Sequence, residues 1–281
     1  MKTIATLGPV GTFSDIATFK YLGEVSGECE VKYFASIKLA LNTIGKECDI
    51  AVLPIENFSE GFIPILLDAL AKKDTHLYIT YEVRIPVNFS FVSNSPSIGN
   101  INKIFSQFVA NGQCSEFLTT LGNFNLITTQ SNIQSLELLK LELSAAGAIV
   151  PAHAIKNGDF PLVIGNVNDF PDNETRFIAI SSTRNKCNLD IYYECKTSLV
   201  IYGDKDYPGL LGDILVAFST RGINISSLVS RPSMAKFGQY DFFVDVIGNE
   251  SSPLLKEAIS EVATICSVKS LGTYRIASDR K

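Results

Sequence analysis

Three short polar segments hold the side chains in this sequence that could do chemistry. Gly8-Pro9-Val10-Gly11-Thr12-Phe13-Ser14 ends in two hydroxyl residues at the start of a helical pattern, where free backbone N–H groups favour a carboxylate. Glu56-Asn57 leaves an apolar run that reads as a buried strand. Asn173-Glu174-Thr175-Arg176-Phe177 enters another. Each segment also has a plainer reading. Thr12 and Ser14 can serve only as helix caps, and Glu56-Asn57 only as turn residues. Thr175-Arg176 can be an edge-strand pair with a surface salt bridge.

Other kinds of chemistry lack their residues. The only histidines, His76 and His153, lie far apart and suit surface or helix-end positions. No zincin, Walker or G-x-S-x-G pattern is present, and Gly8 and Gly11 lack the third glycine and later acidic residue of a dinucleotide site. No two of Cys29, Cys48, Cys114, Cys187, Cys195 and Cys266 stand in a CxxC spacing, so a zinc or redox site has no support. The expectation is a reaction without metal or cofactor. A net charge of −5, from 24 basic and 29 acidic residues, gives no general attraction to nucleic acid or an anionic membrane. An anionic substrate would therefore need a local positive potential. No apolar run reaches the ~18 residues of a membrane span. The chain opens directly on a strand-like segment, and a reduced, cytoplasmic protein is expected.

The elements that must position these segments alternate. Thr3 to Leu7 reads as a strand, followed by a helix with Phe13, Ile16, Ala17 and Tyr21 on one face. Ser36 can cap a second helix, and Ile50 to Leu53 is a wholly apolar strand covered on both sides. A loop over 54–61 and a helix over 63–72 follow. One strand is expected over 82–92, then a further strand-helix alternation: strand 101–106, helix 113–121, strand 126–129, helix 132–141 and strand 148–150. A short strand over 176–180 closes this part. The pattern predicts an α/β catalytic domain over 1–182, with lobe 1 from about 1–82 and 165–182 and lobe 2 from about 83–164. A cleft between such lobes is a common place for a ligand. Residues 183–195 read as a linker. Residues 196–276 then follow the order β-α-β-β-α-β, which is ferredoxin-like. Here Pro208 takes a first helical position, and Leu211, Leu215 and Phe218 share a face. Gly222 ends that helix, and Lys236-Phe237-Gly238 turns between two strands.

The segments in combination resemble a known family. Gly8-Pro9-Val10-Gly11-Thr12-Phe13-Ser14 with Ala17, then Pro54-Ile55-Glu56-Asn57 with Gly61, then Asn173-x-Thr175-Arg176-Phe177, are similar in order and spacing to the prephenate dehydratases. Pro208-Gly209-Leu210-Leu211 and Ser230-Arg231-Pro232 resemble the ACT domain that follows in those enzymes. The resemblance implies two lobes like a periplasmic binding protein with the site between them, then an ACT domain. It implies that prephenate loses CO2 and water to give phenylpyruvate, with L-phenylalanine as allosteric effector and a homodimer or homotetramer as assembly. Thr175 matches the family's catalytic threonine. Asn57, Glu56, Ser106, Gln113 and Ser131 match cleft positions. Arg176 would be a carboxylate partner or its support, and Thr12 and Ser14 would add N–H groups. Pro208, Gly209, Leu210, Leu211, Ser230, Arg231 and Pro232 would frame the effector pocket. Departures are Phe58 in place of a hydroxyl residue, with Ser59 as a substitute, Asn88 where many relatives have histidine, Gln107-Phe108-Val109 in place of His-Pro-Gln, and Val229 in place of glutamate.

The implied chemistry needs a proton or strong hydrogen bond for the departing hydroxide and a water-poor site for the decarboxylating carboxylate. Thr175 would polarise the hydroxyl, with Glu56, raised in pKa by burial, or water as proton source. The alternatives are an arogenate dehydratase, a prephenate decarboxylase that does not aromatise, and a non-catalytic amino-acid sensor.

Overall fold

The computed structural model describes residues 1–184, 195–205, 207–233 and 238–276. Most of the expected linker, Cys187, and Lys236 and Phe237 of the expected turn lie outside the described residues.

The chain begins with β1 (Lys2–Leu7), α1 (Phe13–Glu24), β2 (Cys29–Phe34), α2 (Ile37–Asn42), β3 (Ile50–Asn57), β4 (Gly61–Phe62), α3 (Pro64–Ala71) and β5 (Tyr78–Pro86). It continues through β6 (Phe89–Ser93), β7 (Lys103–Gln107), α4 (Phe108–Gln113), α5 (Ser115–Thr120), β8 (Asn125–Thr129), α6 (Asn132–Leu141), β9 (Ala146–Pro151) and β10 (Leu162–Ile164). Then β11 (Glu174–Ser181) returns to the first sheet, whose order is β2-β1-β3-β11-β5 with β4 beside β3. The second lobe has the order β10-β6-β9-β7-β8. The two chain crossings are hydrogen-bonded to each other: Val87 N–H donates to Asn173 O at 2.7 Å, and Asn168 bonds Phe89 N–H and Val87 O, both at 2.7 Å.

Caps explain the helix starts. Thr12 accepts from Asp15 N–H, Ser36 from Leu39 N–H and Ser131 from Gln134 N–H. The first sheet is covered on both faces. Ile4, Ile50, Val52, Phe177 and Ala179 pack on the α1 side with Ala17 and Tyr21. Ala51, Leu53, Ile55, Ile178 and Ile180 pack on the other side with α2 and α3.

The last part is β12 (Cys195–Ile201), α7 (Leu210–Ser219), β13 (Ile225–Pro232), β14 (Tyr240–Ile247), α8 (Pro253–Ile265) and β15 (Val268–Arg275), in the order β13-β14-β12-β15. Alternation gives this sheet two buried faces. Leu199, Ile201, Val244 and Val246 meet α7 and α8. Val200, Tyr202, Phe243 and Tyr274 instead join the core of the first lobe, in one cluster with Leu66, Leu67, Leu70 and Ile178. The molecule is thus a two-lobed α/β unit with a ferredoxin-like unit packed on the back of lobe 1.

Several sequence expectations are corrected. Residues 54–57 are not loop, because β3 runs on to Asn57, and Pro54 stands at a β-bulge, a place that tolerates proline. The expected strand over 82–92 is two strands, broken where the chain passes between lobes. The helix expected over 113–121 is two short helices, the first starting at Phe108 with Gln107 as its cap. Pro208 is not a first helical residue: Gly209, with φ 101°, precedes α7, and the buried face is Leu210, Ile214, Ala217 and Phe218, while Leu211 is partly exposed. Among the described residues no helix is long and apolar enough to cross a membrane.

Candidate active site

A cavity of about 360 Å3 opens between the lobes. Lobe 1 contributes Phe13, Asn57, Thr175 and the stretch from Glu60 to Pro64. Lobe 2 contributes Phe89, Gln107, Val109, Ala110, Gln113 and Asn132. Strand pairing sets Thr175 directly opposite Asn57 and Arg176 opposite Glu56.

The register explains which of these faces the cavity. Along β3, Ala51, Leu53 and Ile55 face the α2–α3 side. Strict alternation would send Asn57 the same way and Glu56 towards the cavity. A register shift between Arg176 and Phe177 of β11 lies against one extra residue of β3, at Ile55. That bulge inverts the phase, so Asn57 meets Thr175 at the cavity and Glu56 turns behind the sheet.

A hydrogen-bond network then joins the lobes. Asn57 Nδ2 donates to Thr175 Oγ1 at 2.8 Å and to Asn173 Oδ1 at 3.1 Å. Gln113 Nε2, from lobe 2, donates to Asn57 Oδ1 at 3.1 Å, and Asn173 Nδ2 donates to Gln113 Oε1 at 3.0 Å. Ser59 Oγ donates to Asn57 Oδ1 at 2.8 Å, so it does supply a hydroxyl beside the position of Phe58. Because an amide nitrogen only donates, Thr175 Oγ1 must accept from Asn57. Its own proton is left for a partner in the cavity. Asn132 Oδ1, also on the cavity wall, is buried and has no hydrogen-bond partner among the described residues. It is a free acceptor that the sequence reading missed; its position just after the cap Ser131 was the available signal.

No lysine or arginine lines this cavity among the described residues. The first turns of α1, α3 and α6 do, through Phe13, Pro64 and Asn132, and helix N-termini favour anions. Gly11, at φ 82°, bends the chain between β1 and α1 and lies against Ile133 of lobe 2; its carbonyl is 2.9 Å from His153 Nε2. His153 thus ties the lobes beside Phe13, whose ring lies 5.1 Å from its own.

The structure brings Thr175, Asn57 and Gln113 together. It does not bring Glu56 or Arg176 to the cavity wall, so of the roles expected of Arg176, carboxylate partner or its support, direct contact is not made. Arg176 is buried and bonds Asp245 at 2.7 Å, with Glu56 at 3.3 Å and Glu82 at 3.7 Å, so it is neither an edge-strand surface residue nor a substrate anchor. The Glu56 carboxyl is raised in pKa, chiefly by burial, with Arg176 opposing. The perturbation expected of an acid is there, on the wrong side of the sheet. Ser106 is buried and donates to Gln107 O, and Thr12 and Ser131 cap helices beside the cavity. The buried Ser14 accepts the Thr6 and Thr18 hydroxyls at its carbonyl. None of these four lines the cavity.

The expected effector residues separate. Leu210 packs on the helix side of the last sheet. Arg231 faces lobe 1 and makes a two-pronged ion pair with Asp68 of α3, at 2.9–3.0 Å. Ser230 and Pro232 point outward, while Val229 packs on the lobe 1 core.

Comparison with known proteins matches residues 4–185 to the prephenate dehydratase family and residues 197–264 to the ACT domain family. A bifunctional chorismate mutase/prephenate dehydratase of Aquifex aeolicus is 32% identical over 273 residues, 96% of this chain and 73% of that protein. A solved prephenate dehydratase of Arthrobacter aurescens, in complex with L-Phe, has a TM-score of 0.82 at 28% identity and covers 98% of this chain and 90% of its own. One from Staphylococcus aureus has a TM-score of 0.80 at 29% identity, covering 98% and 100%.

Proposed function

The chain belongs to the prephenate dehydratase family and carries an ACT regulatory domain, and from that premise we propose that the cavity between its lobes binds prephenate with the ring hydroxyl against Thr175. The reaction breaks the bond from the ring to its carboxylate, and the electron pair enters the ring as the hydroxyl on the opposite carbon departs. Prephenate dianion and one proton become phenylpyruvate, CO2 and water. The family match favours this substrate over arogenate.

The observation that carries the assignment is the Asn57–Thr175 hydrogen bond, which commits one lone pair of the hydroxyl and leaves its proton to donate. Threonine is a weak acid, so its role is to polarise the leaving oxygen and orient it, with water as proton source. With Arg176 turned away, the carboxylates fall to the first turns of α1, α3 and α6. Apolar walls from Phe13 and Phe89 exclude water from the carboxylate that is lost. Binding of the carboxylate that does not react supplies orientation. L-Phenylalanine is proposed as the ligand of the ACT domain, in keeping with the relative solved with it. Pairing of ACT domains in a homodimer or homotetramer would bring Leu210-Leu211 of one copy to Ser230 and Pro232 of another. The proposed setting is the cytoplasm.

Phenylpyruvate formation, followed by absorbance, tests the site. Thr175→Ala loses about 10²–10⁴-fold in kcat, the usual range for a group assisting proton transfer. Thr175→Ser retains most of it. Near-normal turnover in Thr175→Ala would remove the threonine from the mechanism.

A further inference from the structure

Directly behind the catalytic strand lies a buried ionic cluster shared by both domains. Arg176 reaches out of β11 on the side opposite Thr175 and bonds Asp245 Oδ2 of β14 at 2.7 Å. Its other carboxylate neighbours, Glu56 and Glu82, are more distant, at 3.3 and 3.7 Å, and its Nε has no hydrogen-bond partner among the described residues. Asp245 is therefore the main anchor of the guanidinium. Asp245 is fixed in turn. Ser198 of β12 donates to its second oxygen at 2.5 Å, and the Ser198 hydroxyl is 2.7 Å from that of the fully buried Tyr274. Lys196 of β12 bonds the fully buried Glu82 at 2.9 Å.

This cluster sits where β3 and β11 depart from regular pairing. The register shift falls between Arg176 and Phe177, one residue from Thr175. The extra residue is on β3, at Ile55, so the ladder that β3 offers Thr175 and Arg176 on that edge is disrupted, while β5 pairs the other edge in register. Whatever holds the Arg176 side chain thus also holds the peptide that aims the Thr175 hydroxyl. A buried charge is a stiff anchor, because any movement leaves it unpaired.

We infer that Asp245 of the ACT domain is a positioning residue for the dehydration, holding Arg176 and through it the orientation of Thr175. This rests on Thr175 being the hydroxyl that assists the leaving group. The domain usually seen as a sensor then completes the active site of its own chain from behind.

The test compares Asp245→Asn, Arg176→Gln and their combination in the full chain, with kcat expressed per folded molecule. Asp245→Asn lowers kcat about tenfold or more, as misplacement of a reacting group does, with KM changed far less. The double variant is no slower than Arg176→Gln alone, because both act along one path. Full kcat in Asp245→Asn at reduced Tm overturns the inference, as does multiplication of the two losses in the double variant. If Asp245→Asn fails to fold, Ser198→Ala decides: it loosens Asp245 without stranding a charge. Lowered kcat supports the inference and unchanged kcat overturns it. Thr175→Ala is assayed alongside. If it keeps its activity, the reading of the site itself fails; if it is inactive while Asp245→Asn is not, only the positioning role fails.

Discussion

The two faces of the β3–β11 pair are built from neighbouring residues and behave as different materials. On the cleft face, Asn57 and Thr175 meet through neutral hydrogen bonds continued by Gln113 and Asn173. On the back face, one residue along each strand, Glu56 and Arg176 belong to a charged cluster that ends in the ACT domain. Neutral amides suit a site that must accept a dianion and let its charge change, because they donate and accept without fixing a counter-charge beside the carboxylate that leaves. Ion pairs suit the back, where nothing should move. The contrast implies that damage to the back, away from the Asp245–Arg176 link to Thr175, is felt first in stability, and damage to the front first in turnover.

The sharpest test of that contrast is Glu82→Gln. Glu82 is fully buried and receives Lys196 at 2.9 Å, so the substitution leaves buried cations short of a partner. Loss of about 3–5 kcal/mol is expected in a denaturant titration, with no comparable loss of kcat in the folded fraction. The front face should answer in the opposite way. Asn57→Ala removes the donor to Thr175 and the acceptor for Gln113, and kcat should fall about 10²-fold, as for loss of a preorganised donor. Its stability cost should stay near 1–3 kcal/mol, roughly that of unsatisfied buried amides. A variant that unfolded before it slowed would erase the distinction.

The smallest expected effect is that of Glu56→Gln, which bears on the misplaced acid. Turnover should fall by no more than about threefold, under 1 kcal/mol of barrier. Stability carries a signature instead. Burial raises the Glu56 pKa above its ordinary 4.5, so the folded state holds this proton more tightly than the unfolded chain. Its stabilising contribution is complete below pH 4.5 and is lost as pH rises through the raised value. Glu56→Gln should flatten that decline when unfolding is followed against pH. A large drop in kcat, with the pH dependence of stability unchanged, would return Glu56 to the cleft.

Much of this architecture could be read from local patterns. Ser36 announced α2 because a cap side chain and a periodic apolar face act within a few residues. The βαββαβ order of the last unit was legible for the same reason. Errors arose where a local signal had a nonlocal answer. Pro54 reads as loop, yet the bulge accepts it within a central strand. Pro208 reads as a helix start, yet Gly209 in a left-handed conformation takes the turn and shifts the buried face from Leu211 to Leu210 and Ile214.

The sequence by itself determined the kinds of groups available and the order of the segments that carry them: a hydroxyl at Thr175, amides at Asn57 and Gln113, charges at Glu56 and Arg176. It could not decide which of them share a cavity. Side chains on a strand alternate between faces, and one extra residue at Ile55 exchanges the destinations of Glu56 and Asn57. That residue is extra only relative to β11, a strand more than a hundred positions later, so the phase is a property of the pairing and exists only once the sheet has formed.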